Sequence, residues 1–236
     1  MPYEWKPQQG EIARRIYPKD VSGVFKKEII ASEYQRVFMI QDGTIKEILS
    51  QGKHDVGGLL VKDRSAVYVD FSDKDLLYGF SDLKLVDGVV IKCHGELRFR
   101  IHDPQLFYVN LLASRDLLTL DDLWTRLKLE LQNIISTALY QHHAKDLYGN
   151  PEVRSSCYNA VDMEMRKTLQ RWGLEVIQFT LNPVFPEEWA ALEKEKMEMI
   201  KDTKLKANKC PQCNADLPDR ATFCPVCGSR VGGRVN

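Results

Sequence analysis

The sequence predicts an α+β fold followed by a small metal-clipped tail, and three observations carry that prediction. Asp42-Gly43 and Asp87-Gly88 each separate apolar-rich runs, as hairpin turns do. After Asp103-Pro104, two long stretches place their apolar residues at helical spacing. Near the end, Cys210, Cys213, Cys224 and Cys227 form a C-x2-C-x10-C-x2-C pattern. Strands come first and helices second, the order of an α+β chain. With 236 residues, 44% hydrophobic and 28% charged, the chain has ordinary globular composition.

The first hairpin pairs VFMIQ with TIKEIL across Asp42-Gly43. SAVYVDF and LLYGF suggest further short strands. A second hairpin spans Lys84 to Ile101. Its return strand alternates, with Val89, Ile91, Cys93, Leu97, Phe99 and Ile101 on one face and Lys92, His94, Glu96, Arg98, Arg100 and His102 on the other. That period of two describes an antiparallel sheet with one buried and one wet face. QLFYVNLL, residues 105–112, reads as one short helix. Thr119 with Asp122 is an N-cap pair opening an amphipathic helix whose apolar positions are Leu120, Leu123, Trp124, Leu127, Leu131, Ile134, Ile135, Ala138 and Leu139, and Gly149 and Pro151 break it. A second helix runs from Pro151 to about Trp172 with Gly173 as its stop, and LEVIQFTLNPV reads as one strand ending at Pro183. Pro186, Glu187 and Glu188 start a helical arm of some twenty residues bearing Trp189, Leu192, Met197, Met199, Ile200 and Leu205 among alternating Glu and Lys.

Charge and hydropathy exclude several functions. Thirty-three basic and thirty-three acidic residues cancel, so no global field draws the body to nucleic acid or an anionic membrane. There is no run of eighteen apolar residues and no apolar signal core among the first twenty, so a cytoplasmic chain is expected. In a reducing compartment, paired CxxC units indicate a metal rather than disulfides. Four thiolates suit tetrahedral Zn2+, and a fully protein-filled site is structural, with no open position for catalysis. Pro211 and Pro225 fix φ inside each pair, while Asn214 and Gly228 follow the second cysteine, where the turn over a metal calls for positive φ. Phe223 is the one aromatic between the pairs, too little for a core, so this unit is expected to need its metal to fold. Cys93 and Cys157 read as core residues.

Enzymatic constellations are not found: the sequence holds no GxSxG, P-loop, HExxH or dinucleotide glycine fingerprint. Asp121-Asp122 and Glu187-Glu188 sit at helix starts, where carboxylates complement the dipole. His142 and His143 are read as favouring a helix C-terminus, and His94 and His102 stand about 27 Å apart along an extended strand. No catalytic or organic-cofactor residues are assigned, and the chain is expected not to be an enzyme. Residues 201–236 hold seven basic residues (Lys201, Lys204, Lys206, Lys209, Arg220, Arg230 and Arg234) against Asp202, Asp216 and Asp219. A zinc with four thiolates brings minus two, so the footprint for phosphate is weak.

"SEYQRVFMIQDGTIKEILSQGKHDV", "GELRFRIHDPQLFYV" and "RWGLEVIQFTLNP", in this order, resemble the SPFH, or Band 7, domain of stomatin, prohibitin and flotillin relatives. The leading "YEWKPQQGEIARRIYP" and the cysteine clip are similar to its "virion core protein-like" branch, which joins an SPFH domain to a C-terminal zinc ribbon. The resemblance implies an antiparallel β subdomain, an α/β subdomain, homo-oligomerisation through the segment that follows and scaffolding at membranes. It divides the chain into an SPFH domain at 1–185, a helical linker or short oligomerisation helix at 186–208 and a four-cysteine zinc ribbon at 209–232. Most relatives carry an apolar hairpin or acyl sites, absent here, so peripheral association at the inner face of the membrane would come through a partner or an apolar surface. The long coiled coil of cage-building relatives is also missing; the arm spans about 30 Å. The expected function is a self-associating scaffold whose ribbon docks a protein client. The alternative is a nucleic-acid- or ribosome-associated adaptor using the ribbon.

Overall fold

The structure, a computed structural model, describes residues 1–23, 26–57, 60, 64–113, 115–207, 209–218 and 221–231, with the helical backbone alone at 202–207. The chain divides into two compact units, Met1–Val184 and Phe185–Asn236.

The first unit opens with strands throughout. β1 (Tyr3–Glu4), β3 (Glu28–Ala31) and β6 (Gly52–Asp55) make a three-stranded sheet in the order β1-β3-β6, with β1 and β3 parallel. β2 (Glu11–Ile16), β4 (Gln35–Gln41), β5 (Thr44–Leu49), β7 (Arg64–Asp70) and β10 (Leu117–Thr119) make a five-stranded antiparallel sheet in the order β10-β2-β7-β4-β5. Asp42 and Gly43 link β4 to β5 with φ of 51° and 71°, the turn a two-residue hairpin demands. One apolar cluster joins residues of both sheets, including Trp5, Ile29, Val37, Ala66 and Tyr68. Tyr68 is wholly buried; its hydroxyl donates to the carbonyl of Ile30 at 3.1 Å, which satisfies the one polar atom brought inside.

The third sheet is built on β9 (Val90–Ile101). β8 (Lys74–Lys84) pairs along one side of it, and β11 (Leu174–Phe179) and β12 (Asn182–Val184) share the other. The alternation expected along β9 holds: Ile91, Cys93, Leu97, Phe99 and Ile101 are buried. LLYGF is the middle of an eleven-residue strand rather than a short one. LEVIQFTLNPV makes two strands instead of one, because Thr180 turns inward and exchanges bonds with the backbone of Glu96.

After β9 the predicted short helix is one α-turn, α1 (Pro104–Phe107), running into a π-type turn at Tyr108–Leu112. Thr119 then caps α2 (Leu120–Leu139) through a reciprocal box: its hydroxyl accepts from the Asp122 amide while the Asp122 carboxylate accepts from the Thr119 amide. Leu123, Leu127, Leu131, Ile135 and Leu139 form the buried stripe. The helix ends at Leu139, not at Gly149, so Tyr140 to His143 are a turn and a short α3 (Ala144–Gly149) precedes α4 (Pro151–Arg171). Asn150 caps α4, and Gly173 follows it with φ of 78°. A Cβ there would lie 2.4 Å from the Asp103 carbonyl oxygen, so glycine is required on both counts.

The second unit begins with α5 (Glu187–Ala207), Glu187 and Glu188 standing in its first turn. Leu192, Met199 and Ile200 are exposed on it and Trp189 is half-buried. The expected contribution of the Leu205 side chain lies outside the described residues, as do the side chains of Asp202, Lys204, Lys206, Asp219, Arg220 and Arg234.

Candidate metal centre

The four-cysteine tail folds as two copies of one turn. In the first, the Cys210 amide donates to the Ala215 carbonyl at 2.8 Å and the Asn214 amide to the Cys210 carbonyl at 2.9 Å. Fourteen residues on, the Cys224 amide donates to the Ser229 carbonyl at 2.8 Å and the Gly228 amide to the Cys224 carbonyl at 2.9 Å. Antiparallel bridges Lys209–Asp216 and Phe223–Arg230 close the two loops. The positive φ expected after each second cysteine is present, 59° at Asn214 and 71° at Gly228. Asparagine tolerates that region better than most side chains and glycine enters it freely.

Each turn aims its sulfurs inward. Cys210 and Cys224 are buried, Cys213 and Cys227 exposed. One sulfur from each of the four residues lies within 4.8 Å of the others, with Cys210–Cys227 and Cys213–Cys224 both at 3.6 Å. A disulfide would need about 2.05 Å. A tetrahedron of sulfurs about 2.3 Å from a central zinc has edges near 3.8 Å, so the arrangement fits that ion. Among the described residues, no other group of three or more His, Cys, Asp or Glu side chains converges to hold a metal.

A second layer supports the sulfurs. Backbone amides of Gln212 and Val226 donate to Cys210 Sγ and Cys224 Sγ, each at 3.4 Å. Ser229 Oγ lies 3.2 Å from Cys210 Sγ and 3.1 Å from Cys227 Sγ. That hydroxyl was not legible in the spacing, although its position matches Ala215 in the other turn, and the break in an otherwise repeated pattern was the available signal. Ser229 has an electrostatic consequence: its hydrogen bond is the main reason the Cys210 thiol falls to about 6, and it pulls Cys227 down as well. Cys213 behaves oppositely. The Ala215 backbone stabilises its thiolate, but the crowding sulfurs of Cys227, Cys224 and Cys210 outweigh that and push it up to about 12. Four thiolates so close repel one another, and a divalent cation at their centre reverses that repulsion.

The apolar side chains of the tail do not make a core. Phe223 is 60% exposed and Val226 71% exposed, so the one aromatic between the cysteine pairs points to solvent.

Elsewhere, the polar groups singled out in the sequence are dispersed or internally paired. Arg98 pairs with Asp75 at 2.5 Å, and Arg100 reaches Glu175 at 3.4 Å and Asp73 at 3.7 Å. His94 and His102 stay apart, one within β9 and the other just beyond its end, both exposed. His142 and His143 sit in the turn between α2 and α3 rather than near the end of one long helix. There the His142 carbonyl accepts from the Val86 amide at 3.2 Å, and His143 Nδ1 lies 3.8 Å from Asp87. Cys93 and Cys157 are buried, and burial pushes both thiols up to about 11, which keeps them protonated and inert at neutral pH.

Comparison with known proteins agrees with this geometry. Residues 29–209 match the SPFH domain / Band 7 family, and residues 209–231 match a zinc-ribbon domain. The chain therefore belongs to the SPFH/Band 7 family and carries a zinc-ribbon tail. No curated protein matches it. Among the described residues, no helix is long and apolar enough to cross a membrane.

Proposed function

We propose that this chain is a non-enzymatic scaffold that self-associates through its SPFH body and α5 and uses the zinc ribbon to dock a protein client. In this reading the chain divides into an SPFH domain at 1–185, a helical linker at 186–208 and a ribbon at 209–232. Cys210, Cys213, Cys224 and Cys227 hold a structural Zn2+. The observation that carries the reading is a cluster of four converging sulfurs joined to an SPFH body: four thiolates would complete a tetrahedral zinc, so the metal would supply rigidity and charge balance with no position left for a substrate. The same four residues bind, orient and stay deprotonated around the ion, with Ser229 and the Gln212 and Val226 amides fixing the sulfur lone pairs. The ribbon's exposed Phe223 and Val226 favour contact with another protein, since among the described residues neither a basic cluster nor a stacking platform accompanies them. Leu192, Met199 and Ile200 give α5 an apolar side for a second copy. Association with a membrane is peripheral in this reading and made through the client or the assembly.

Native mass measured by mass photometry over a wide concentration range tests this. A discrete assembly that falls apart in a Leu192→Glu, Met199→Glu double variant is expected. A monomer at every concentration would overturn self-association. Retention on mixed DNA and RNA that falls steeply with salt and is lost in Cys210→Ser would favour the nucleic-acid adaptor instead.

A further inference from the structure

The third sheet of the body ends in a long strand with one side bare. β8 pairs with β9 from Lys74 to Lys84, and among the described residues no strand or turn hydrogen-bonds to its other side. Proteins blunt such edges with short strands, prolines, protruding charges or early bulges. β8 is eleven residues long, has no proline, and keeps a regular register up to Phe80, where a bulge begins and Asp82 takes φ of 61°. Its inner side chains are fixed: Leu76, Tyr78 and Phe80 are buried, Tyr78 stacks on Phe179 at 5.8 Å and Phe80 lies 6.2 Å from Trp124. The outer face departs from protective practice. At its centre stands Leu77, 80% exposed, and the nearest charge, Asp75, is drawn back onto Arg98 of β9.

We propose that β8 pairs antiparallel with β8 of a second copy, about a two-fold axis at Leu77, fusing two four-stranded sheets into one. The proposal rests on the self-association proposed above and gives it a contact in the body, separate from α5. The register follows from the side chains. Centred on Leu77, the pairs are Leu77 with Leu77, Leu76 with Tyr78, Asp75 with Gly79, Lys74 with Phe80 and Asp73 with Ser81. No like charges face each other, and Leu77 covers its own counterpart, a cross-strand pair of the kind that stabilises sheets. Gly79 leaves an open notch opposite Asp75, and in the sheet Gly79 lies beside His94, so the carboxylate of one copy comes to face an imidazole of the other. Neighbouring registers are worse. A centre at Asp75 sets two carboxylates against each other, one at Leu76 sets Asp75 against Leu77, and those at Tyr78 and Gly79 carry the pairing of β8 into the bulge beyond Phe80. The two-fold contact is isologous, so it closes at a dimer and does not propagate along the edge.

Cross-linking of the full-length, zinc-loaded protein tests this directly. Leu77→Cys places two thiols opposite each other, whereas Ser81→Cys places them about 27 Å apart, eight residues along the strand. With a short bismaleimide, Leu77→Cys is expected to give covalent dimer on the order of tenfold above Ser81→Cys, as opposed cross-strand positions lie about 5 Å apart. The unsubstituted chain reports any background from the ribbon thiols. Leu77→Lys is expected to abolish the body contact without unfolding the protein, since the side chain is solvent-exposed, and circular dichroism checks that. If the unsubstituted protein assembles yet Leu77→Cys links no better than Ser81→Cys, edge pairing is overturned and self-association through α5 stands. A strand from a different protein on this edge would give that same unlinked result. If the unsubstituted protein is a monomer at every concentration, both fall together.

Discussion

The body and the tail solve the same problem, holding a chain in one shape, with opposite means. In the body, side chains such as Phe38, Phe99, Leu127 and Leu131 are withdrawn from water, and the Tyr68 hydroxyl buried with such side chains is paired. In the tail, Phe223 and Val226 face solvent, Leu217 and Val231 are only half-buried, and among the described residues the buried positions belong to sulfur. Residues 209–231 are too few to bury an adequate apolar core, and below about 40 residues a domain generally needs a metal, disulfides or a partner. Apolar burial is spread over many contacts and degrades gradually; a coordination sphere fails as soon as one ligand is lost.

The largest effect expected from this contrast is removal of the metal. Zinc contributes about 10–16 kcal/mol of apparent folding free energy in units of this kind. Treatment with a chelator, or Cys224→Ser, should unfold residues 209–231 and leave the thermal midpoint of the body in place, read by limited proteolysis of the tail beside calorimetry of the whole chain. Loss of the body transition together with the metal would break the comparison.

Next come two phenylalanines. Phe99, 1% exposed in β9, loses its packing on truncation, and Phe99→Ala should destabilise the body by about 3–5 kcal/mol. Phe223→Ala in the tail should cost less than about 0.5 kcal/mol, since it removes an exposed ring. Urea titrations of the two variants provide the test, and similar costs would mean that the tail does bury an apolar core. If the ribbon docks a client through Phe223, that variant keeps its zinc and loses the client.

A smaller loss is expected at the start of α2. Thr119→Ala removes a hydroxyl that caps the helix and is the first cause holding the Asp122 carboxyl below its ordinary value, while the second, the Thr119 backbone amide, remains. Loss of such a cap costs about 1 kcal/mol, visible as a shift in the urea midpoint at unchanged slope.

How much of this was legible beforehand depends on how local the determinant is. Asp42-Gly43, the Thr119 box, Gly173 and the cysteine turns each act within a few residues, and each was readable. The misread positions obey distant partners. α2 stops at Leu139 without glycine or proline, where the hairpin tip of β8 and β9 intervenes: Val86 donates to the His142 carbonyl, and the Asp87 carboxylate accepts from the Ala144 amide at 2.9 Å and so caps α3. The strand after α4 breaks at Thr180 because Glu96, 84 residues earlier, takes its hydrogen bonds, and a Cβ at Gly95 would collide with the Thr180 carbonyl oxygen. β1 is only two residues long and parallel to β3, too short for any periodicity to mark it. At the metal centre, the ligand spacing is local while Ser229 acts on a sulfur nineteen residues away.

The subtlest difference between the two regions should appear in acid. Glu11, buried in β2, accepts hydrogen bonds from the Trp5 indole, the Gln8 amide and Arg14. Burial alone would raise its pKa, but these donors outweigh it and the carboxyl titrates below its ordinary value of 4.5. A carboxyl depressed in the folded state adds stability that is complete above the unfolded value, near 4.5, and is lost as pH falls through the lower folded value. Glu11→Gln should therefore lower the thermal midpoint of the body at neutral pH and flatten its decline below about pH 4.5. The tail should respond at higher pH, because protons compete with the metal for thiolates, and metal release is indifferent to Glu11. Following the body by calorimetry and zinc by a colorimetric chelator across one pH series separates the two. A body transition that shifts with the zinc, or a Glu11→Gln variant whose acid slope equals that of the parent, would remove the distinction.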